Sequence, residues 1–239
     1  MSDITAYYSK GAANYDGLYK HRHFFDQPFG EDLKRMTNPS PGLDIVDMAC
    51  GTGYLSKVLD KQGIKTTILV EPCKELLTLS ESAFPSAKAY CMDALEFSKQ
   101  PIKYDRIVIN GAFHLFPLGT LEETVLNFRS QLRSGGMVII ISQIISPMFK
   151  AARGIVHDTS YAGIKALKAA GFEVASEPMV TRYQFEIPRE DYEKLHRSRF
   201  LSEERELTDD EIERGINEMN LSDPVVCEYK HIWVIASKQ

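Results

Sequence analysis

The sequence predicts an α/β fold, a mostly parallel sheet with helices on both faces, and three observations carry this. Short apolar runs of strand length, at 45–49, 66–70, 87–91, 104–110 and 137–143, alternate with segments of helical periodicity, the rhythm of repeated strand-helix-strand units. The run Ile107-Val108-Ile109 is apolar on successive positions, as expected of a central strand covered on both faces. The chain has 239 residues, 44% hydrophobic and 26% charged, the make-up of a globular protein with length for one large domain and no room for a comfortable second.

The elements follow in order. Residues 3–38 read as helices ahead of the first strand, and Asn38-Pro39-Ser40-Pro41-Gly42 is a loop by composition. The first strand, Ile45-Val46-Asp47-Met48-Ala49, breaks at Cys50-Gly51-Thr52-Gly53 into a helix that ends near Gly63. A second strand stops at Glu71-Pro72, and a helix over 74–83 takes Leu76, Leu77 and Leu79 as its buried face. A short third strand ends at Met92-Asp93-Ala94-Leu95-Glu96. The fourth leaves through Asn110-Gly111-Ala112-Phe113-His114. A helix over 121–132 and the turn Ser134-Gly135-Gly136 precede the fifth strand at 137–143. Beyond it come a helix over 160–170, a strand over 172–177, an extended stretch at 180–187, and a helix opened by Pro188 and Arg189 that runs to Phe200. Thr208, with Glu211 in capping-box position, starts a helix through Met219, and 228–236 closes the chain as a strand.

Composition excludes several classes. Twenty-eight basic and 33 acidic residues leave a net charge of -5, and the basic residues form no stripe, so the electrostatic footprint of a nucleic-acid binder is missing. A small-molecule partner is expected. No apolar run reaches the roughly 20 residues that span a bilayer, and Met1-Ser2-Asp3-Ile4 lacks the layout of a signal peptide, which points to the cytoplasm and away from a membrane. The four cysteines, Cys50, Cys73, Cys91 and Cys227, show no C-x-x-C spacing, so no metal site or disulfide framework is expected and they read as reduced packing residues.

The turn at 50–53 is the chemical centre. A strand, a glycine turn, a helix and a second strand ending in an acid make a unit that binds a nucleoside-bearing ligand. Glycine there adopts φ > 0 at little cost and lets a ligand lie against the backbone. Glu71, at the tip of the second strand, can accept from both hydroxyls of a ribose. A dinucleotide would require a third glycine where this chain has Ser56.

The stretch Asp47-Met48-Ala49-Cys50-Gly51-Thr52-Gly53 resembles the first motif of class I S-adenosylmethionine-dependent methyltransferases, with Ala49 where that family most often has glycine. The acid Glu71, the Asp93-Ala94 pair, the strand exit at Asn110 and the Gly135-Gly136 turn resemble further motifs of the same family in the same order. Tyr8-Ser9, Ala12 and Tyr15-Asp16 resemble its N-terminal segment, which folds over the cofactor. The resemblance implies a Rossmann-like, mostly parallel seven-stranded sheet with an antiparallel last strand, and S-adenosyl-L-methionine as cofactor. The domain would comprise N-terminal helices (1–40), a core (41–180 and 225–239) and a helical lid insert at about 188–224. The cofactor-binding set it implies is Tyr8, Tyr15, Asp47, Ala49, Cys50, Gly51, Gly53, Glu71, Pro72, Asp93, Ala94, Asn110 and Ala112. A small methyl acceptor, taking the methyl on oxygen or nitrogen, is the implied partner.

His114, with an ordinary pKa near 6.5, is the candidate for proton handling or acceptor orientation. Tyr15 is a second catalytic candidate, and Gln143 a further one. Phe113, Phe116, Met148 and Phe149 could supply apolar walls, and Arg153, Arg182, Arg197 and Arg199 read as surface charge with a lesser prospect of clamping a carboxylate. Two alternatives stand beside methyl transfer: a non-catalytic adenosylmethionine-binding regulator and an NAD-dependent oxidoreductase.

Overall fold

In the computed structural model, the described residues are 2–11, 23–147, 159–199 and 204–239. Five strands, β1 (Ile45–Met48), β2 (Ile68–Val70), β3 (Lys88–Tyr90), β4 (Tyr104–Asn110) and β5 (Leu132–Ser146), lie parallel in the order β3-β2-β1-β4-β5. The order reverses at β1, which has β2 on one side and β4 on the other, and a crevice opens at the carboxyl ends of strands at such a switch.

The final strand β8 (Val225–Ser237) runs antiparallel to β5, as expected, but begins earlier than the predicted 228. Its outer edge pairs with both β6 (Glu173–Val174) and β7 (Met179–Ile187). The sheet therefore has eight strands among the described residues, one more than expected. The extra strand is the extended stretch near 180–187, whose Tyr183, Phe185 and Ile187 are buried in alternation with exposed Arg182, Gln184 and Glu186.

Helices cover both faces. One apolar cluster joins β1 and β5 to α2 (His23–Thr37) and α3 (Tyr54–Lys61) through Phe29, Leu33, Leu55 and Leu59. The other joins the opposite face to α6 (Leu121–Gln131) and α7 (Thr159–Ala169) through Val125, Phe128, Ala166 and Leu167. In α4 (Lys74–Ala83) the buried face is Leu76, Leu77 and Ser80, while Leu79 is 48% exposed. This corrects the expected face: positions i, i+1 and i+4 share a stripe on a helix, whereas i+3 falls on its far margin once Cys73 and Ser80 complete it.

The insert supplies α8 (Arg189–Arg197) and α9 (Asp209–Glu218), whose Tyr192, Leu195, Ile212 and Ile216 enter the first cluster. The Tyr192 hydroxyl donates to the Pro147 carbonyl at 2.5 Å, which sets α8 just past the carboxyl end of β5. The expected capping box of α9 is present between Thr208 and Glu211.

Gly163 in α7 lies against Phe113: a Cβ there would stand 2.6 Å from the phenyl Cε1. Alanine would improve helix propensity by about 1 kcal/mol, but the ring is only 3% exposed and has little room to yield. Overpacking costs about 1–3 kcal/mol, so Gly163→Ala should lower the urea midpoint; a raised midpoint would show that the contact relaxes freely.

Candidate functional site

A cavity of about 950 Å³, counted out to its open mouth, occupies the crevice where the strand order reverses. It is lined at the end of β1 by Met48, Ala49 and Gly51, at the end of β2 by Glu71, Pro72 and Cys73, after β3 by Met92 to Leu95, and at the end of β4 by Asn110, Gly111 and Ala112. Thr5 and Tyr8 of α1 (Ser2–Gly11) close it from outside. Among the described residues its lining takes nothing from the insert helices.

Glu71 is the anchor. Its side chain is 6% exposed, its Oε2 accepts from the Gly51 N–H and its Oε1 from the Cys73 N–H, both at 3.0 Å. Burial pushes its pKa up and the two backbone donors pull it back. The carboxylate thus faces the glycine turn, as a ribose-binding role for both requires, and each oxygen has lone-pair capacity left for a ligand hydroxyl.

Behind the turn lies a row of residues that hold it. Asp47 is 1% exposed and accepts from the Ser56 hydroxyl at 2.6 Å. Cys50 directs its thiol to Ser80 Oγ, 3.5 Å away, in a small cluster with Leu69 and Leu77. A Cβ on Gly53 would meet the Phe84 ring at 3.0 Å and Ser80 Cβ at 3.2 Å, so this glycine serves α3–α4 packing as well as its φ of 81°. These three expected binding residues support the turn rather than line the cavity. Cys91 is exposed, contrary to its reading as a packing residue.

Ala49 has φ 57°, in the left-handed region, which costs an L-residue roughly 1–2 kcal/mol. Alanine at this glycine position is therefore held in a strained conformation. Ala49→Gly should raise stability by about 0.5–1 kcal/mol once the greater freedom of unfolded glycine is subtracted; an unchanged or lower melting temperature would refute the strain.

Asp93 has a role that its position alone did not reveal. It is the N-cap of α5 (Ala94–Ser98), a short helix absent from the sequence reading, its Oδ1 accepting from the Glu96 N–H at 2.9 Å while Glu96 returns the bond. That fixes the carboxylate at the cavity rim. Asn110 lines the cavity with its Oδ1 accepting from Gln143 Nε2 at 2.7 Å.

Of the catalytic candidates, His114 sits half-buried on a one-turn 3-10 helix, Phe113–Leu115, between lining residues Ala112 and Leu115. Tyr15 lies outside the described residues, as do Ala12, Met148, Phe149 and Arg153. Phe116 lines the cavity and stacks at a tilt on Phe113, 5.1 Å between centroids. Arg182, Arg197 and Arg199 are paired with Glu228, Glu213 and Asp209, so they are surface ion pairs. Leu76, Leu95, Leu115, Pro117 and Thr124 also line the cavity and were missed; on helix faces and turns they read as ordinary core or loop.

Residues 45–136, the stretch that builds this crevice, match a family described as a methyltransferase domain. Over this stretch the chain is similar to methyltransferase domains. A curated relative, malonyl-[acyl-carrier protein] O-methyltransferase of Acetivibrio thermocellus, is 26% identical over 138 residues, 56% of this chain and 47% of the relative. The match thus spans about half the relative's length. Three solved structures share the fold. The YcgJ protein of Bacillus subtilis has a TM-score of 0.59 at 12% identity, covering 91% of this chain and 99% of that one. A SAM-dependent methyltransferase of Archaeoglobus fulgidus has 0.51 at 21%, covering 89% and 94%. Magnesium protoporphyrin IX methyltransferase of Synechocystis PCC 6803, solved with SAM bound, has 0.53 at 13%, covering 92% and 83%.

S-adenosyl-L-methionine, the cofactor that the sequence resemblance implies, fits the cavity. A buried acceptor pair at Glu71 suits ribose hydroxyls, Asp93 at the rim suits an exocyclic amine, and Met92, Leu95, Leu115 and Phe116 suit an apolar purine. Among the described residues no group of His, Cys, Asp and Glu could hold a metal ion, and no helix is long and apolar enough to cross a membrane.

Asp47 makes the turn sensitive to pH. Burial, the leading cause, pushes its pKa up to about 7 from 3.8. The native state therefore keeps a proton that the unfolded chain gives up, so this residue's contribution to stability declines as pH rises from about 4 to about 7 and then levels off. Asp47→Asn removes the decline: in urea unfolding, the variant should gain on the wild type between pH 5 and pH 8. A difference independent of pH would sink the assignment.

Proposed function

We propose that the protein transfers a methyl group from S-adenosyl-L-methionine to a small soluble metabolite, on oxygen or nitrogen. The carrying observation is Glu71, a buried carboxylate bonded to the Gly51 N–H in a cavity at the strand-order switch. The bound cofactor supplies an activated methyl group. The protein's own task is alignment, and a near-attack pose is worth about 7–11 kcal/mol. In this reading Glu71 holds the ribose, Asp93 and the backbone beside Ala94 hold the adenine, and Tyr8 covers the site. His114 orients the acceptor or takes its proton, and the insert over about 188–224 serves as lid on the acceptor side.

Oxygen is the favoured target. The curated relative is named as an O-methyltransferase. At the β4 end the cavity is lined by Asn110 to Ala112 and Leu115 to Pro117, with His114 between them but outside the lining, and an acceptor already ionised at neutral pH, such as a carboxylate, asks only orientation of it and no proton transfer. The nicotinamide alternative loses ground because Ser56, at the third-glycine position, is engaged in holding Asp47.

Adenosylhomocysteine should bind in a calorimetric titration, and Glu71→Ala should weaken it by about 1.5–3 kcal/mol, the worth of charge-assisted hydrogen bonds. Unchanged affinity would misplace the ribose. Turnover over a panel of small carboxylic acids, read as methyl ester by mass spectrometry, tests the reaction; binding with no product from any acid or metabolite extract would favour the non-catalytic regulator.

A further inference from the structure

Two neighbouring strands carry side-chain amides on one face of the sheet, Asn110 at the end of β4 and Gln143 within β5. Register pairs Val108 with Ile139 and Asn110 with Ile141, and partners in adjacent parallel strands project to the same side. Val108, Ile139, Ile141 and Ile145 all belong to the apolar cluster beneath α2 and α3. Period two then places Asn110 in the row of Val108, and Gln143 in the row between Ile141 and Ile145. The β4 row ends in a polar residue at the cavity, and Gln143 interrupts the apolar β5 row beside it.

The amides meet with a defined polarity. Gln143 Nε2 donates to Asn110 Oδ1 at 2.7 Å. Gly111, at φ 68°, passes so close to the Gln143 amide that a Cβ on it would stand 3.2 Å from both Cδ and Oε1, so the backbone backs the glutamine into place. With its oxygen engaged, Asn110 has two N–H donors left on Nδ2, and among the described residues no hydrogen bond takes them. Asn110 lines the cavity.

We propose that Gln143 is a positioning residue that holds the Asn110 amide with Nδ2 toward the ligand, so that the β4 end of the cavity recognises a carboxylate oxygen. This rests on the methyltransferase reading and deepens it. The oxygen has two possible sources of the same chemistry: the amino-acid end of the cofactor, or a carboxylate methyl acceptor. A neutral donor amide suits either, because it accepts an anion without adding a charge that must be desolvated.

The test uses the full chain and reads binding. Gln143→Glu replaces the donor with an acceptor, so Asn110 must turn its Nδ2 to the new carboxylate and present Oδ1 to the ligand. The wild type, Gln143→Glu, Asn110→Leu and the double variant are titrated with adenosylhomocysteine and with methylthioadenosine, which lacks the amino-acid carboxylate. They are then titrated with malonate in the presence of saturating adenosylhomocysteine. If the cofactor supplies the oxygen, Gln143→Glu weakens adenosylhomocysteine by about tenfold or more and leaves methylthioadenosine unchanged. If the acceptor supplies it, both nucleosides bind as before and malonate binding is lost instead. In either case Gln143→Glu has little further effect in the Asn110→Leu background, which separates amide orientation from the added charge. Gln143→Met, uncharged and of similar length, controls for packing and should cost less than Gln143→Glu on the same ligand. Equal loss of both nucleosides, no loss of any ligand, or the same loss with and without Asn110 overturns the proposal. Failure of the wild type to bind either nucleoside overturns the proposed function first, and this inference with it.

Discussion

The Glu71 carboxylate ties the ends of β1 and β2 together by accepting from the turn after each. A buried carboxylate is costly unless hydrogen-bonded, and here its two partners are backbone donors that the two turns would otherwise leave unmet. The same bonds hold Gly51 close to an acidic oxygen. A ligand with two hydroxyls can then meet an acceptor already oriented, and the protein reorganises little on binding. The position of the crevice follows from topology: β1 is flanked by β2 and β4, so the connections leave to opposite sides and their turns part above it.

Behind the carboxylate, the turn depends on residues that do not reach the cavity. Asp47 and Ser56 bond across the root of the turn, Cys50 and Ser80 join it to α4, and Phe84 fills the space beside Gly53. These contacts explain how Ala49 can be kept at φ 57°: the surrounding structure over-determines the backbone there, as strained functional turns require. They also show why one motif mixes two tasks. Alternation along β1 sends Met48 toward the cavity and Asp47 to the interior behind it.

Much of this was legible in the sequence because the signals were local. Apolar runs bounded by turn residues located β1 to β5, and the acids at strand exits, Glu71 and Asp93, fell at the cavity because carboxyl ends of parallel strands do so whatever the helices between them. What escaped depended on long-range pairing or on side-chain direction. The strand Met179–Ile187 joins the sheet only because β8 offers it an edge. Leu79 fails as a core residue because Cys73, Leu76, Leu77 and Ser80 already form the buried stripe of α4. Leu95, Leu115 and Phe116 carry no mark that separates a cavity wall from a packed core. The partnership of Asn110 with Gln143 required the β4–β5 register, which no single strand records.

The helix α1 shows how the cavity and the insert communicate. Tyr8 lines the cavity, and the neighbouring Tyr7 donates its hydroxyl to the Arg199 carbonyl beyond α8. Consecutive positions on a helix point about 100° apart, so one turn of α1 faces the cavity with one ring and the insert with the other. Arg199 in turn is tied to Asp209 at the start of α9. A typical hydrogen bond contributes only about 0.5–1.5 kcal/mol net, so this single link from α1 to the insert is small beside the pairing and packing of the strands beneath it. The sheet beneath is held by continuous strand pairing, which keeps the strand ends that carry Glu71 and Asn110 in register.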